Sequence, residues 1–388
     1  VLVKITKIVS VMAYKDAGIL SGDSNLLIIT SMKTTLTSRF TVQPTVVERY
    51  HEVDFENLEF GKIPTDHMFV ADYEGGQWRD QRIVPYSEMQ LTPFTSAFHY
   101  GQTVFEGMKA FRMHDGRISI FRPGDHARRF NRSLERMCMP LVPERLFTEA
   151  MDTLISLDRH WVPEGKGTSL YIRPFMIATD DRLGVKVADR YRFMIVCSPV
   201  GAYYSKPIRV KVEQHFARAF RGGAGFAKCG GNYGISFYPY AKAVSEGFDQ
   251  VIWTDAETHE FVEESGTMNI GFIRNDTLIT PPAGETVLAG ITRDSLLKIA
   301  VSMGMKVEER LISYRSIAGF IEQREQIEAF GIGTAATVAP IRELYFEGKS
   351  FGTYTGPDAT MFRLKRTLED IRTGMMPDRW GWNHIIPG

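Results

Sequence analysis

Apolar and polar positions along this chain alternate in short runs, closed off by turn residues. Residues 66–73 and 77–84 alternate on either side of Gly75-Gly76, which predicts a hairpin. A second hairpin is predicted about His114-Asp115-Gly116, with 118–121 as its return strand. Residues 105–111, after a turn at Gly101, read as helical or extended. The segments 168–177 and 191–197 have the β-branched and aromatic content of strands. Asp125 to Cys138 places apolar and basic residues at helical spacing.

The pattern changes after 199–207, where Pro199, Gly201 and Pro207 mark a linker. Beyond it, 208–212 alternates as a strand and 221–225 is a glycine-rich loop. Asn232 is placed to cap a helix running to about 246, with Gly247 as its stop. Strands follow at 250–253 and 269–273, the latter turning at Asn275-Asp276, and Thr292 is placed to cap the helix bearing Leu296, Leu297 and Ala300. There is no internal repeat or low-complexity tract. The expected class is therefore α+β in two domains, a small one over 45–198 and a large one over 208–388. Residues 1–44 stand apart as an N-terminal extension, foreign to the native fold or disordered. Its apolar pieces are broken by Gly18, Gly22 and Asp23, unlike a secretory signal. Met32 reads as an initiator, which makes 1–31 a leader, a tag or an upstream extension.

Composition narrows the class. The 388 residues are 44% hydrophobic, enough for a large core, and 46 basic residues balance 46 acidic ones. That balance argues against a nucleic-acid or membrane-surface role. No apolar run reaches transmembrane length. Cys138, Cys197 and Cys229 are too scattered for a disulfide framework, which fits a reducing cytoplasm.

The chemistry concentrates in Lys228-Cys-Gly-Gly-Asn-Tyr233 and Glu264-Ser-Gly-Thr-Met-Asn269. A lysine amine, a phenol and a carboxylate are the groups needed to hold and operate pyridoxal 5'-phosphate. The carboxylate keeps the ring nitrogen protonated, and only then is the ring an electron sink. Alone, Lys228 would read as a surface lysine in a mobile loop. Glu264 changes that reading, because it lies between apolar 261–262 and a second apolar run. A phosphate needs amides and a cation. The start of the helix at Ile291 and Thr292 offers the first, the glycine turn bearing Thr334 a second set, and Arg129 the charge. Tyr171 and Arg173 are two apart on a predicted strand and share a face. A structural ion pair would explain them as well as a substrate site. None of the nine histidines has metal-ligand spacing, and no P-loop, nucleophile elbow or dinucleotide fingerprint occurs.

Over about 45–380 the chain resembles the branched-chain amino acid aminotransferases, which are fold type IV pyridoxal-phosphate enzymes related to D-amino acid aminotransferase. The resemblance rests on His99-Tyr-Gly-Gln-Thr-Val-Phe-Glu-Gly-Met-Lys-Ala-Phe111, Tyr171-Ile-Arg-Pro174, the two motifs above and Gly333-Thr-Ala-Ala336. It implies an active site between the two domains. It makes Lys228 the lysine that links to the cofactor and shuttles the proton, sets Tyr233 against the ring hydroxyl and Glu264 on the ring nitrogen. Arg129, Ile291, Thr292 and Thr334 would hold the phosphate. The Thr334 and Ala335 amides with the Tyr100 hydroxyl would take the substrate α-carboxylate. Phe105, Tyr171 and Tyr203 would wall the side-chain pocket, and Arg173 would accept the distal carboxylate of glutamate. The family builds homodimers or higher oligomers in which a neighbouring subunit closes the site. The implied reaction moves the amino group of leucine, isoleucine or valine to 2-oxoglutarate. Ala336 and Ala339 replace the redox cysteine pair of mammalian members, so no thiol switch is expected. A D-amino acid aminotransferase and an aminodeoxychorismate lyase share the fold but tend to have Gly after the arginine, where this chain has Pro174. A lysine-dependent aldolase would leave Glu264 and the phosphate cup unused, and a catalytically dead relative would not keep every catalytic position filled.

Overall fold

The computed structural model describes residues 40–201 and 206–387. Two nine-stranded sheets organise them. Across the first sheet the order is Thr41–Val42, Gln77–Pro85, His67–Glu74, Tyr191–Val200, Ser169–Ala178, Met108–Arg112, Ile118–Phe121 and Asn383–Ile385, with Thr103–Phe105 also paired to Ser169–Ala178. The second runs Val262–Ser265, Gln250–Thr254, Ile208–Val212, Thr337–Phe346, Glu328–Gly333, Asn269–Arg274, Thr277–Thr280 and Lys306–Glu309, with Lys349–Gly352 on Thr337–Phe346. The architecture is α+β. The chain changes sheet between Val200 and Ile208, and Pro199 and Val200 still belong to a strand. The last strand, Asn383–Ile385, returns to the first sheet and pairs antiparallel with 119–121.

Turn chemistry explains the hairpins. Gly75 and Gly76 have φ of +59° and +78°, which glycine adopts without steric penalty. Asn275 and Asp276 take φ of +47° and +56° in the two-residue turn between Asn269–Arg274 and Thr277–Thr280, a conformation these two side chains tolerate better than most. Residues 105–111 resolve as strands, Thr103–Phe105 and Met108–Arg112.

The helices Pro123–Arg136 and Glu144–Leu157 lay apolar faces on the first sheet. Phe130 and Phe147 meet Phe193 at ring distances of 5.6 and 5.9 Å, all fully buried. Each such ring contributes about 1.5–3 kcal/mol by leaving water. A second cluster joins Leu296, Phe330, Leu364 and Leu368 to Phe111, Phe121 and Trp382 of the other half. Arg122, at φ +53°, turns the chain into Pro123 and reaches Asp294 (2.6 Å) and the Ser295 hydroxyl (2.8 Å) at the start of Ile291–Ser302. The two sheets are thus tied together beside the site.

Two expected caps are corrected. Asn232 lies inside a short helix, Gly231–Gly234, and its amide donates to the carbonyls of Ala224 and Ala227, closing the glycine-rich loop instead of starting a long helix; a second helix, Phe237–Ser245, follows. Thr292 is the second residue of Ile291–Ser302, whose cap is Gly290. A side chain at position 290 would place its Cβ 1.9 Å from Asn269 Oδ1, so packing, not capping preference, selects that glycine. Of the expected extension 1–44, only 40–44 is described: Phe40 is buried and packs on Phe69, and Thr41–Val42 pairs parallel with 82–83.

Candidate active site

A cavity of about 290 Å³ takes residues from both sheets and from the start of the Ile291–Ser302 helix. Every site residue expected from the sequence lines it except Tyr100 and Tyr203. Tyr203 lies outside the described residues. Tyr100 is exposed, and its hydroxyl donates to the Leu183 carbonyl on the protein surface.

Lys228 sits on a backbone held from both sides. Its amide donates to the Ser133 hydroxyl (2.9 Å), and its carbonyl accepts from the Phe105 amide (3.0 Å). Its Nζ donates to Tyr233 Oη at 2.7 Å and stands 4.6 Å from the centre of the Phe105 ring. Glu264 is buried. Its Oε1 accepts from the Leu288 amide (2.9 Å) and Asn269 Nδ2 (3.3 Å). Its Oε2 lies 3.3 Å from Arg218 Nε, close but without hydrogen-bond alignment, so that contact is Coulombic. Burial pushes the Glu264 carboxyl above its ordinary value, and Arg218 opposes this.

Arg129 is fixed by a residue that sequence reasoning passed over. Glu106, fully buried, accepts from Arg129 Nε (2.7 Å) and Nη2 (2.8 Å) in a bidentate pair, and lies 2.8 Å from His126 Nδ1. Burial alone would raise the Glu106 carboxyl; Arg129 and His126 hold it well below the carboxylate range. The signal was available, since Glu106 lies in an apolar run, as Glu264 does. Arg218, flanked by Phe216, Ala217, Ala219 and Phe220, gave the same hint. Next to Arg129, the first helical bond of Ile291–Ser302 runs from the Asp294 amide to Gly290 (2.9 Å), so the helix itself leaves the Ile291 and Thr292 amides uncommitted.

At the other end, Arg173 donates to Tyr171 Oη (3.0 Å), and its guanidinium lies 4.7 Å from the Phe105 ring centre and 5.2 Å from that of Tyr171. Its Nε is buried and has no partner among the described residues. Phe60, also missed, packs edge-on against Tyr171. Gly107 is what lets Tyr171 lie across the strand, because a Cβ there would fall 2.0 Å from Tyr171 Oη. Thr334, Ala335 and Ala336 form the turn between Glu328–Gly333 and Thr337–Phe346. Lys109 crosses from the first sheet to donate to the Ala335 carbonyl (2.9 Å), and Arg372 Nη1 donates to Thr337 Oγ1 (3.0 Å).

The donor set suits a phosphorylated pyridine aldehyde. A lysine amine with a phenol beside it, a buried carboxylate, and an arginine next to helix-start amides that the helix leaves uncommitted all open on one cavity. Comparison with known proteins points the same way. The family described as amino-transferase class IV matches residues 103–344. A branched-chain-amino-acid transaminase of Bacillus subtilis is 46% identical over 335 residues, covering 85% of this chain and 94% of that protein. The solved branched-chain aminotransferase of Escherichia coli superposes with a TM-score of 0.69 at 26% identity, over 83% of this chain and 99% of that one. The T.th. branched-chain aminotransferase solved with pyridoxamine 5'-phosphate gives 0.67 at 26% identity, over 82% and 98%.

Proposed function

The chain belongs to the class IV aminotransferases, among their branched-chain amino acid members, and from this we propose that it transfers the amino group of leucine, isoleucine or valine to 2-oxoglutarate. Its fold is that of the fold type IV enzymes, and its cofactor is pyridoxal 5'-phosphate. The observation that carries the reading is the Lys228–Tyr233 contact opening on the same cavity as the buried Glu264. When bound, the cofactor ring takes up the electron pair left when the substrate Cα loses its proton.

The protein's own groups do the rest. Lys228 holds the cofactor aldehyde, and its Nζ takes and returns the Cα proton, a role that typically supplies about 10²–10⁴-fold in rate. Tyr233 orients that amine and would contact the ring hydroxyl. Glu264 serves the ring nitrogen, its charge supported by Arg218 and the Leu288 amide. Arg129, the Ile291 and Thr292 amides and Thr334 receive the phosphate. The Thr334 and Ala335 amides receive the substrate α-carboxylate. Phe105, Tyr171 and Tyr203 enclose the side chain. Arg173 reads the distal carboxylate of glutamate, which its unpartnered Nε supports. Against an apolar side chain, the flanking rings offer the contact instead.

Tyr100 fits this scheme as a residue lent to a second subunit. Around it Phe94, Phe98, Leu183, Val185 and Val187 are exposed, an apolar surface suited to a homodimer. The two domains are read as 45–198 and 208–388, supported by the change of sheet between Val200 and Ile208, with the final strand Asn383–Ile385 crossing back to the first sheet. Among the described residues no helix is long and apolar enough to cross a membrane. Its free cysteines support a reducing, cytoplasmic setting.

Borohydride reduction of the loaded enzyme followed by peptide mapping tests the assignment. A pyridoxyl label on Lys228, with absorbance bleached by L-leucine and not by D-alanine, is the expected result. A label elsewhere, or bleaching by D-alanine alone, overturns it.

A further inference from the structure

Lys109 and Arg372 are buried basic groups on which the nearest acidic influence, Glu369, acts only at Coulombic range. Arg122, Arg129 and Arg218 each face a carboxylate within 3.3 Å. Among the described residues, Lys109 and Arg372, 7% and 2% exposed, make no ion pair, and Arg372 Nε has no hydrogen-bond partner. Both hold the same turn, Lys109 by a backbone carbonyl and Arg372 by a side-chain hydroxyl. Lys109 grips Ala335, and Arg372, packed against Phe111 and Phe121, grips Thr337, whose φ of +60° is rare for a β-branched residue. A buried charge without a partner is costly. An anion that arrives at this turn during function would remove that cost.

We propose that Lys109 and Arg372 are positioning residues for the substrate α-carboxylate, supplying its counter-charge from behind the 333–337 turn. The inference rests on the reading above that the Thr334 and Ala335 amides receive this carboxylate. It adds the electrostatic source that two amides alone do not provide.

A proton follows from the same geometry. The titratable and charged groups facing Lys109 are the Tyr171 phenol, opposite it across the strand pairing, and Lys365, Glu369 and Arg372 of the Thr360–Arg372 helix. Glu369 is shared with Lys365 at 3.8 Å. Burial, aided by Arg372 and Lys365 and opposed by Glu369, brings the Lys109 amine down to about 7. Arg372 is lowered to about 10, chiefly by burial. A carboxylate arriving at the turn favours the charged amine, so binding at about pH 8 takes up a fraction of a proton, at most about one per site.

Calorimetry of 4-methylpentanoate binding to the cofactor-loaded enzyme, in buffers of different ionisation enthalpy at about pH 8, reads this directly. Lys109→Arg keeps the charge at every working pH. It should bind the carboxylate about as well as the wild type while losing the Lys109 share of the proton uptake. Any uptake by other groups is common to both proteins. Lys109→Met should weaken 4-methylpentanoate by roughly tenfold and leave the neutral 4-methylpentanamide unchanged. Wild-type uptake persisting in Lys109→Arg, or carboxylate affinity unchanged in Lys109→Met, overturns the proposal. If Lys109→Met does not load cofactor, the arginine variant decides alone. Failure of the wild type to bind 4-methylpentanoate would instead remove the carboxylate site itself, and this inference with it.

Discussion

Two corners of one cavity are suited to anions, and they are built in opposite ways. Arg129, assigned to the phosphate, is locked by a bidentate carboxylate, Glu106, with His126 behind it. Lys109 and Arg372, behind the turn assigned to the substrate carboxylate, make no direct ion pair among the described residues, and Glu369 acts on them only at a distance. The first arrangement fixes a donor permanently and suits a group that stays. The second leaves charge unspent and suits a group that comes and goes in each turnover. Stability should therefore respond with opposite sign to removing a charge at the two corners.

The largest effect expected is from Glu106→Gln. It strands a buried guanidinium and should destabilise the protein by about 3 kcal/mol, measured as the shift in urea midpoint of the cofactor-free enzyme. It should also narrow the affinity gap between pyridoxal phosphate and pyridoxal, because Arg129 is no longer aimed. No loss of stability would place Glu106 outside the first corner. Next, Arg173→Ala should raise KM for glutamate and 2-oxoglutarate about tenfold more than for leucine. Equal losses would mean that the distal end of the cavity does not discriminate charge. The smallest effect per step is a slope, at most about 1.4 kcal/mol per pH unit. An unfolded lysine keeps its proton to about 10.4, whereas native Lys109 releases it at about 7. Between these values the unfolded state binds more protons, so wild-type stability rises with pH relative to Lys109→Met. The variant's advantage should be greatest below about pH 7 and shrink steadily toward pH 10; a flat difference in thermal midpoint would remove Lys109 as a depressed amine.

The hairpins and the Lys228, Tyr233 and Glu264 constellation were legible because their signals are local. Gly75-Gly76 and Asn275-Asp276 announce turns by what they are, and the catalytic groups sit in two short motifs, Lys228 with Tyr233 and Glu264 with Asn269. The caps were misjudged because Thr292 and Asn232 have the right chemistry at the wrong step. A contact with Asn269 chose Gly290 as the cap, and two loop carbonyls claimed the Asn232 amide. The partners that tune the site were hidden for a different reason. Lys109 meets a carbonyl 226 positions away, and Arg122 meets Asp294 across 172. Nothing in either segment marks the other, since only the packing of the two sheets brings them together. Tyr100 shows the reverse limit: the resemblance assigned its hydroxyl to the substrate α-carboxylate, whereas in this chain that hydroxyl meets the Leu183 carbonyl at the surface.

The strand Asn383–Ile385 has a consequence for synthesis. It closes the edge of the first sheet against 119–121, while the Arg122 amide donates to Trp382 at 2.7 Å and the Trp382 ring packs beside the Arg122 guanidinium. A ribosome releases those residues some 260 codons after the strand they cover. Until then Ile118–Phe121 presents a bare hydrogen-bonding edge, so a nascent chain stalled before residue 380 should be prone to sticking to its siblings, and shielding of that edge falls to whatever meets the polypeptide as it emerges.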